Sequence, residues 1–248
     1  MTDRPGDRRF VARRITFGLI ALLGAASVWG LAVGTSDTSL WGAFGDLALG
    51  KDISLRDQIV LPHIRLLRLL MGLLVGAALA VSGDLLQGQF RNPLADPGII
   101  GVSAGGSFGA VLAIVLGAVL PFASALGAWM MPIFAFVGAW SATLLHYAIA
   151  TRQGRTSVAT MLLAGIALSA LTMAMTGVLI YLVDDAQMRD FTFWNMGSLS
   201  GSNWVKLTVA APLILLPLCV TPLLAPGLNG LALGEAAARH MGISVQTV

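Results

Sequence analysis

Apolar runs of about 20 residues, nearly free of charge, recur along this chain, at 15–33, 66–83, 99–120, 127–149, 159–183 and 205–225. A helix rises about 1.5 Å per residue, so about 20 apolar residues cross the hydrocarbon core of a bilayer. Within that core an unpaired backbone N–H or C=O has no water to bond, so such runs must close their hydrogen bonds internally, as helices. The pattern predicts an all-α, polytopic transmembrane bundle of about six spans. Composition agrees: 11% of the 248 residues are charged, against about 25% in soluble domains, which need charge to cover their surface.

The formal net charge of +3 does not make the chain a nucleic-acid binder, because of where the charge sits. Five of the fifteen basic residues (Arg4, Arg8, Arg9, Arg13, Arg14) precede the first apolar run. Such a flank marks the cytoplasmic end of a membrane helix. The run at 15–33 is long for the apolar part of a cleaved signal peptide, and more spans follow, so it is read as a retained helix. With the N-terminus inside, the inner segments also hold Arg91, Arg152, Arg155 and Arg239, and the outer ones hold Lys51, Arg56, Arg65, Arg68, Arg189 and Lys206. The expected division is a cytoplasmic tail at 1–14, a membrane domain at 15–225 and a cytoplasmic segment at 226–248, with Pro226 and Gly227 ending the last span. Segment 34–62 is the one long polar connection.

Several constellations bear on chemistry. No Walker A loop is present. Cys219 is the single cysteine, and His63, His146 and His240 lack ligand spacing, so neither a disulfide nor a metal site is expected. Gly101-Val102-Ser103-Ala104-Gly105 matches a nucleophile elbow literally, with His146 as a conceivable base, but an elbow needs a strand-to-helix turn. Small residues repeat every four positions at Gly72, Gly76 and Ala80, and again at Gly101, Gly105, Gly109, Ala113 and Gly117. These stripes let helix backbones approach closely; Ser103 and Ser107 lie beside the second. Asp84 ends the second run, either solvated at the interface or facing a water path. Asn92, Pro93, Asp96 and Pro97 predict a defined turn, since each proline disfavours helix before it and Asn and Asp bond to nearby backbone. Asp184, Asp185, Arg189 and Asp190 lead into an aromatic cluster around Trp194. After Gly227, residues 228–242 are Ala-rich and too short to span, and predict one or two small helices.

Together these blocks resemble the FecCD-type permeases, the membrane subunits of ABC importers for iron–siderophore, haem and cobalamin. The resemblance rests on Arg65 to Arg68; Ser82, Gly83 and Gln87; Arg91 to Gly98; Gly101 to Gly105; Leu163 to Gly165; Phe193 to Ser198; and Leu228 to Gly242. It implies the type II importer permease fold, with this chain carrying part of a longer family bundle, as if shortened at its C-terminal side. It implies that Arg65 and Arg68 dock a periplasmic substrate-binding protein. It implies that Asn92 and Leu94 narrow the inner exit with Ser157 and Val158 opposite; Ser103 and Ser107, beside the second stripe, either belong to ordinary helix packing or line a cavity of the pathway, and the outward Arg189 pairs with a carboxylate of the cargo. It further implies that Asn229, Leu233, Gly234, Glu235, Ala238 and Gly242 rest on a separate ATP-binding subunit. The implied protein is no enzyme: no cofactor stays bound, ATP is used by the partner subunit, and the permease pairs with a second copy in the bacterial inner membrane. Leu67 stands where the family often has proline, and Asp84 where it has a small apolar residue. The segment from Asp184 to Trp194 is similar to the haem branch; siderophore and cobalamin are the alternative cargoes. An ion-coupled transporter with Asp84 as proton site, or a serine hydrolase at Ser103, are the readings from other classes.

Overall fold

The computed structural model describes residues 8–34, 39–52, 54–117, 121, 123–152, 155–156, 158–234, 238 and 240–243. In chain order the helices are α1 (Arg8–Ala32), α2 (Leu40–Ala48), α3 (Leu55–Val60), a π-helical turn (Leu61–Arg65), α4 (Leu66–Phe90), a 3₁₀ turn (Pro97–Ile100), α5 (Val102–Gly117), α6 (Ala123–Leu126), a second 3₁₀ turn (Gly127–Trp129), α7 (Met130–Ala150), α8 (Val158–Ile180), α9 (Asp185–Met196) and α10 (Trp204–Ala232). Between α7 and α8 a tight antiparallel pairing sets Thr151 opposite Thr156 and Arg152 opposite Arg155.

Among the described residues, five stretches are long and apolar enough to cross a bilayer: Phe10–Ala32, Leu55–Phe90, Gly127–Ala150, Ala159–Ile180 and Trp204–Ala232. The run expected as a sixth span, 99–120, contributes the shorter helix α5, of 16 residues. Its first residues are spent on a 3₁₀ turn and on Gly101, whose φ of 82° lies in the left-handed region. Two further expectations change. Segment 34–62 is not one polar loop: it holds α2 and α3, started by Ser39 and Ser54, whose hydroxyls accept from the Gly42 and Asp57 amides at 3.0 and 3.1 Å. Capping oxygens of this kind satisfy amides that a helix start leaves unpaired. Pro226 and Gly227 do not end the last span either; α10 continues to Ala232. Membrane helices tolerate proline where neighbouring groups take up the freed carbonyls.

The chain divides into two compact units, Met1–Val75 with Leu199–Leu215, and Gly76–Ser198 with Leu216–Val248. In the first, Leu67 and Leu207 are buried, and Gly72 lies against Leu199.

The second unit is built around the crossing of α5 and α7. A side-chain carbon on Gly138 would fall on the Gly105 carbonyl oxygen, one on Gly105 on the Gly138 carbonyl, and one on Gly109 on the Phe134 carbonyl. The backbones themselves are in contact, and Ala110, Val111 and Ala113 are buried beside them. Apolar side chains gain little by leaving lipid for protein, so association rests on close van der Waals packing, which glycine permits. The second small-residue stripe therefore faces α7. The stripe on α4 is different: a carbon on Gly76 would meet open space.

Gly138→Ala should destabilise the chain by about 1–3 kcal/mol, the usual range for forcing volume into a packed site, and Gly76→Ala should leave it unchanged. Thermal unfolding in detergent, followed by size-exclusion fluorescence, checks both.

Candidate functional site

The turn after α4 is rigid for local reasons. Arg91 takes the left-handed conformation (φ 49°), which breaks the helix. Asn92 Oδ1 accepts from the Leu94 amide at 3.0 Å, and Asp96 Oδ1 from the Gly98 amide at 2.7 Å. The Ala95 amide donates to the Asn92 carbonyl at 3.0 Å. Both side chains act as substitute backbone, the reason Asn and Asp favour turns. Ala95 is buried in a cluster with Phe90, Ala150 and Met161, joining the turn to the end of α7 and the start of α8. Its neighbour Leu94 is 83% exposed. A large apolar side chain thus projects from a braced, anchored turn.

From there the chain climbs. The 3₁₀ turn packs on α8, and a side-chain carbon on Gly101 would lie 3.1 Å from Ser169 Oγ. Ser169 is eleven residues along α8 from Val158, about 16 Å at helical rise. α5 therefore starts near the middle of α8, and the connector reaches that depth packed against protein. Non-helical backbone is tolerated at membrane depth on that condition.

The expected pathway residues fall into two groups. Asn92 and Leu94 share the turn, but Ser157 lies outside the described residues, and of Val158 only the backbone, as first residue of α8, is described. Ser103 is exposed in the first turn of α5. Ser107, one turn on, donates to Asn195 Oδ1 at 3.0 Å, tying α5 to α9. Asn195 lies in the Phe193–Ser198 block that carries the family resemblance, but nothing in its spacing marks it as the partner of Ser107.

α9 also shows what the acids near 184 do. Asp184 Oδ1 accepts from the Gln187 amide at 2.8 Å, and Gln187 Oε1 from the Asp184 amide at 3.2 Å. This reciprocal capping box satisfies two orphan donors. The Asp-x-x-Gln pattern was legible in the sequence as a helix start. Phe191 is buried and Arg189 exposed on the same helix.

The two arginines at 65 and 68, expected to act together, sit in different surroundings. Arg65 is only 8% exposed. Its Nη1 donates to the Leu31 and Ala32 carbonyls at 2.8 and 3.2 Å, at the C-terminus of α1, and Gly34 lies against the guanidinium. The last carbonyls of a helix lack internal partners and carry its negative dipole end, so a cation there is stabilising. The π-helical turn Leu61–Arg65, which contains Pro62, leads directly into this cap. Arg68, one turn on, is exposed.

At the other end, Asn229 belongs to α10 and is exposed, and Leu233 and Gly234 form the turn that ends it. Ala238 is fully buried, its amide donating to the Gly234 carbonyl at 2.9 Å. Ile243 folds back onto Gly230, and Gly242 makes that bend with φ 75°. Glu235 lies outside the described residues.

The readings from other classes find little to build on. His146 is buried, with Nε2 and the Met161 carbonyl 2.7 Å apart, so this nitrogen bridges α7 to α8 rather than serving Ser103. Asp84 is exposed on α4.

Residues 20–248 match the FecCD transport family. The chain is 41% identical over 247 residues to the hemin transport system permease protein HmuU of Yersinia pestis, covering 99% of this chain and 70% of that protein. It is 41% identical over 188 residues to the cobalamin import system permease protein BtuC of Halobacterium salinarum, covering 76% of this chain and 49% of that one. It is 37% identical over 234 residues to the vitamin B12 import system permease protein BtuC of Klebsiella pneumoniae, covering 94% and 65%. A transporter described as of the metal-chelate ABC type, solved in an inward-facing conformation, superposes with TM-score 0.78 at 33% identity, covering 94% of this chain and 68% of that one. The chain thus spans between about half and 70% of the length of these curated relatives.

Arg65→Ala should lower unfolding stability by about 1.5–3 kcal/mol, the range for hydrogen bonds to a charged group. Arg68→Ala should change it by less than about 0.5 kcal/mol, as surface substitutions do. Thermal unfolding of the two variants in the same detergent separates the brace from the surface residue.

Proposed function

The chain belongs to the FecCD transport family, and from that premise we propose that it forms the membrane-spanning permease of an ABC importer moving haem from the periplasm to the cytoplasm. The observation that carries this reading is the match over nearly the whole chain to a hemin permease. Cobalamin is the second cargo, because cobalamin permeases match at similar identity; a ferric siderophore is the third.

The roles follow from chemistry. The permease has no ATPase site of its own and no resident cofactor; a separate cytoplasmic subunit hydrolyses ATP. That subunit meets Asn229, Leu233, Gly234, Glu235, Ala238 and Gly242; buried Ala238, whose amide donates to the Gly234 carbonyl, ties its part of this surface to the end of α10. Arg68 meets an acidic patch of a periplasmic binding protein, since exposed charge steers encounter and fixes register, while Arg65 holds α1 against α4 and so positions Arg68. Leu94 and Asn92 form the inner constriction, opposed by Ser157 and Val158. Ser103, Ser107 and Arg189 face the cargo's route, and Arg189 suits a carboxylate such as a haem propionate. A second copy of the permease completes the pathway, and the N-terminal tail, with its arginines, lies in the cytoplasm.

The chain reconstituted in liposomes with its ATPase and binding protein should take up haem only with ATP inside. Leu94→Ala should raise ATP-independent leak without lowering binding-protein affinity, and Arg68→Glu should weaken that affinity several-fold, more at low salt, because salt screens exposed charge. Uptake of cobalamin alone would replace the cargo; failure to move any iron chelate or corrinoid would refute the reading.

A further inference from the structure

Helix α2 presents an uncovered apolar surface. Its nine residues, Leu40–Ala48, place Leu40, Trp41, Ala43, Phe44, Leu47 and Ala48 on one continuous arc at 100° per residue, leaving Gly42, Gly45 and Asp46 on the other. Only one edge of the apolar arc is covered: Ala43 is buried, whereas Trp41, Phe44 and Leu47 are 69, 60 and 62% exposed. Three large apolar side chains on nine residues are not left in water without a reason. The helix follows α1 closely and touches it. Between the two lies an apolar groove of about 570 Å³, lined by Gly24, Ala25, Val28, Trp29, Val33 and Trp41 among others.

The occupant follows from continuity with the membrane face of α1. That helix is a bilayer-length apolar span, and none of its apolar window is buried within this chain. The groove opens from that surface, at the C-terminal end of α1. Tryptophan concentrates at this level of a membrane because its ring is apolar and its N–H is not, and Trp29 and Trp41 both stand there. The back of α2 is small or acidic, which suits water. An amphipathic helix of this pattern embeds its apolar face at the headgroup–acyl boundary.

We propose that α2 is an interfacial helix: its Trp41–Phe44–Leu47 face is sunk into the leaflet at the C-terminal end of α1, and the groove beside it takes a phospholipid acyl chain of that leaflet. α2 thereby anchors the end of α1 that Arg65 caps, and fixes the height of the chain in the bilayer.

Nitroxide labels placed singly through F44C, L47C, G45C and D46C, in a Cys219→Ser background of the full chain in lipid nanodiscs, read this directly. Labels at 44 and 47 should collide with dissolved oxygen and be shielded from a water-soluble nickel chelate; labels at 45 and 46 should show the reverse. Equal nickel accessibility at all four positions, as on an aqueous docking ledge, overturns the proposal. So does shielding of 44 and 47 from both quenchers, as under a second copy or another protein. For the groove, a chain retaining only Trp29 and Trp41 as tryptophans should lose most of its emission in nanodiscs of phospholipid brominated along its acyl chains. Unchanged emission overturns the acyl-chain assignment. None of these readouts depends on the cargo or on transport.

Discussion

The contact between α5 and α7 sets the rest of the second unit. Glycine at 105, 109 and 138 lets two backbones touch, and in lipid there is little other force to hold helices together. That contact fixes the height of α5 along α7. With α5 held there, its first residues meet α8 at Ser169, halfway along that helix, and the preceding chain must climb to reach it. The rigid turn, the buried anchor at Ala95 and the bond from Ser107 to Asn195 all depend on this placement.

The climb puts irregular backbone at membrane depth, and the sequence meets that demand with local chemistry. Asn92 and Asp96 satisfy amides within the turn, the 3₁₀ turn packs on α8, and Gly101 supplies the left-handed bend where a side chain would press on Ser169. The outcome is a stiff element carrying one exposed leucine. In the first unit Arg65 plays a comparable part, tying the end of one span to the start of another through carbonyls that would otherwise lack partners.

Much of this was legible in the residues. Five apolar runs are spans, the stripe from Gly105 to Ala113 faces a neighbour, and Asn92 to Pro97 form a turn, because each signal is local and its period matches the structure it makes. Where α5 starts was hidden: residues 99–101 are as apolar as a helix, and hydropathy does not register the depth at which a helix begins. Pro226 and Gly227 gave a false stop, since stop signals learned in water weaken in a membrane. Arg65 and Arg68 are one turn apart and identical in type, so only the fold separates the capping group from the exposed one. In 34–62 the charges masked two short helices whose serine caps were there to be read. Asn195 stands in the Phe193–Ser198 block, but no local pattern there points to Ser107, 88 residues away.

α5 begins at mid-depth on α8, where Gly101 meets Ser169. Spin labels at Ser103 paired with Ala170, and at Ser103 paired with Ala159, in nanodisc-embedded chain, measure it by electron–electron distance. The structure predicts the Ser103–Ala170 pair to be the closer of the two, the two α8 sites being separated by about 16 Å at helical rise. A shorter Ser103–Ala159 distance would mean that α5 starts at the membrane face as an ordinary span, and would overturn the mid-depth start.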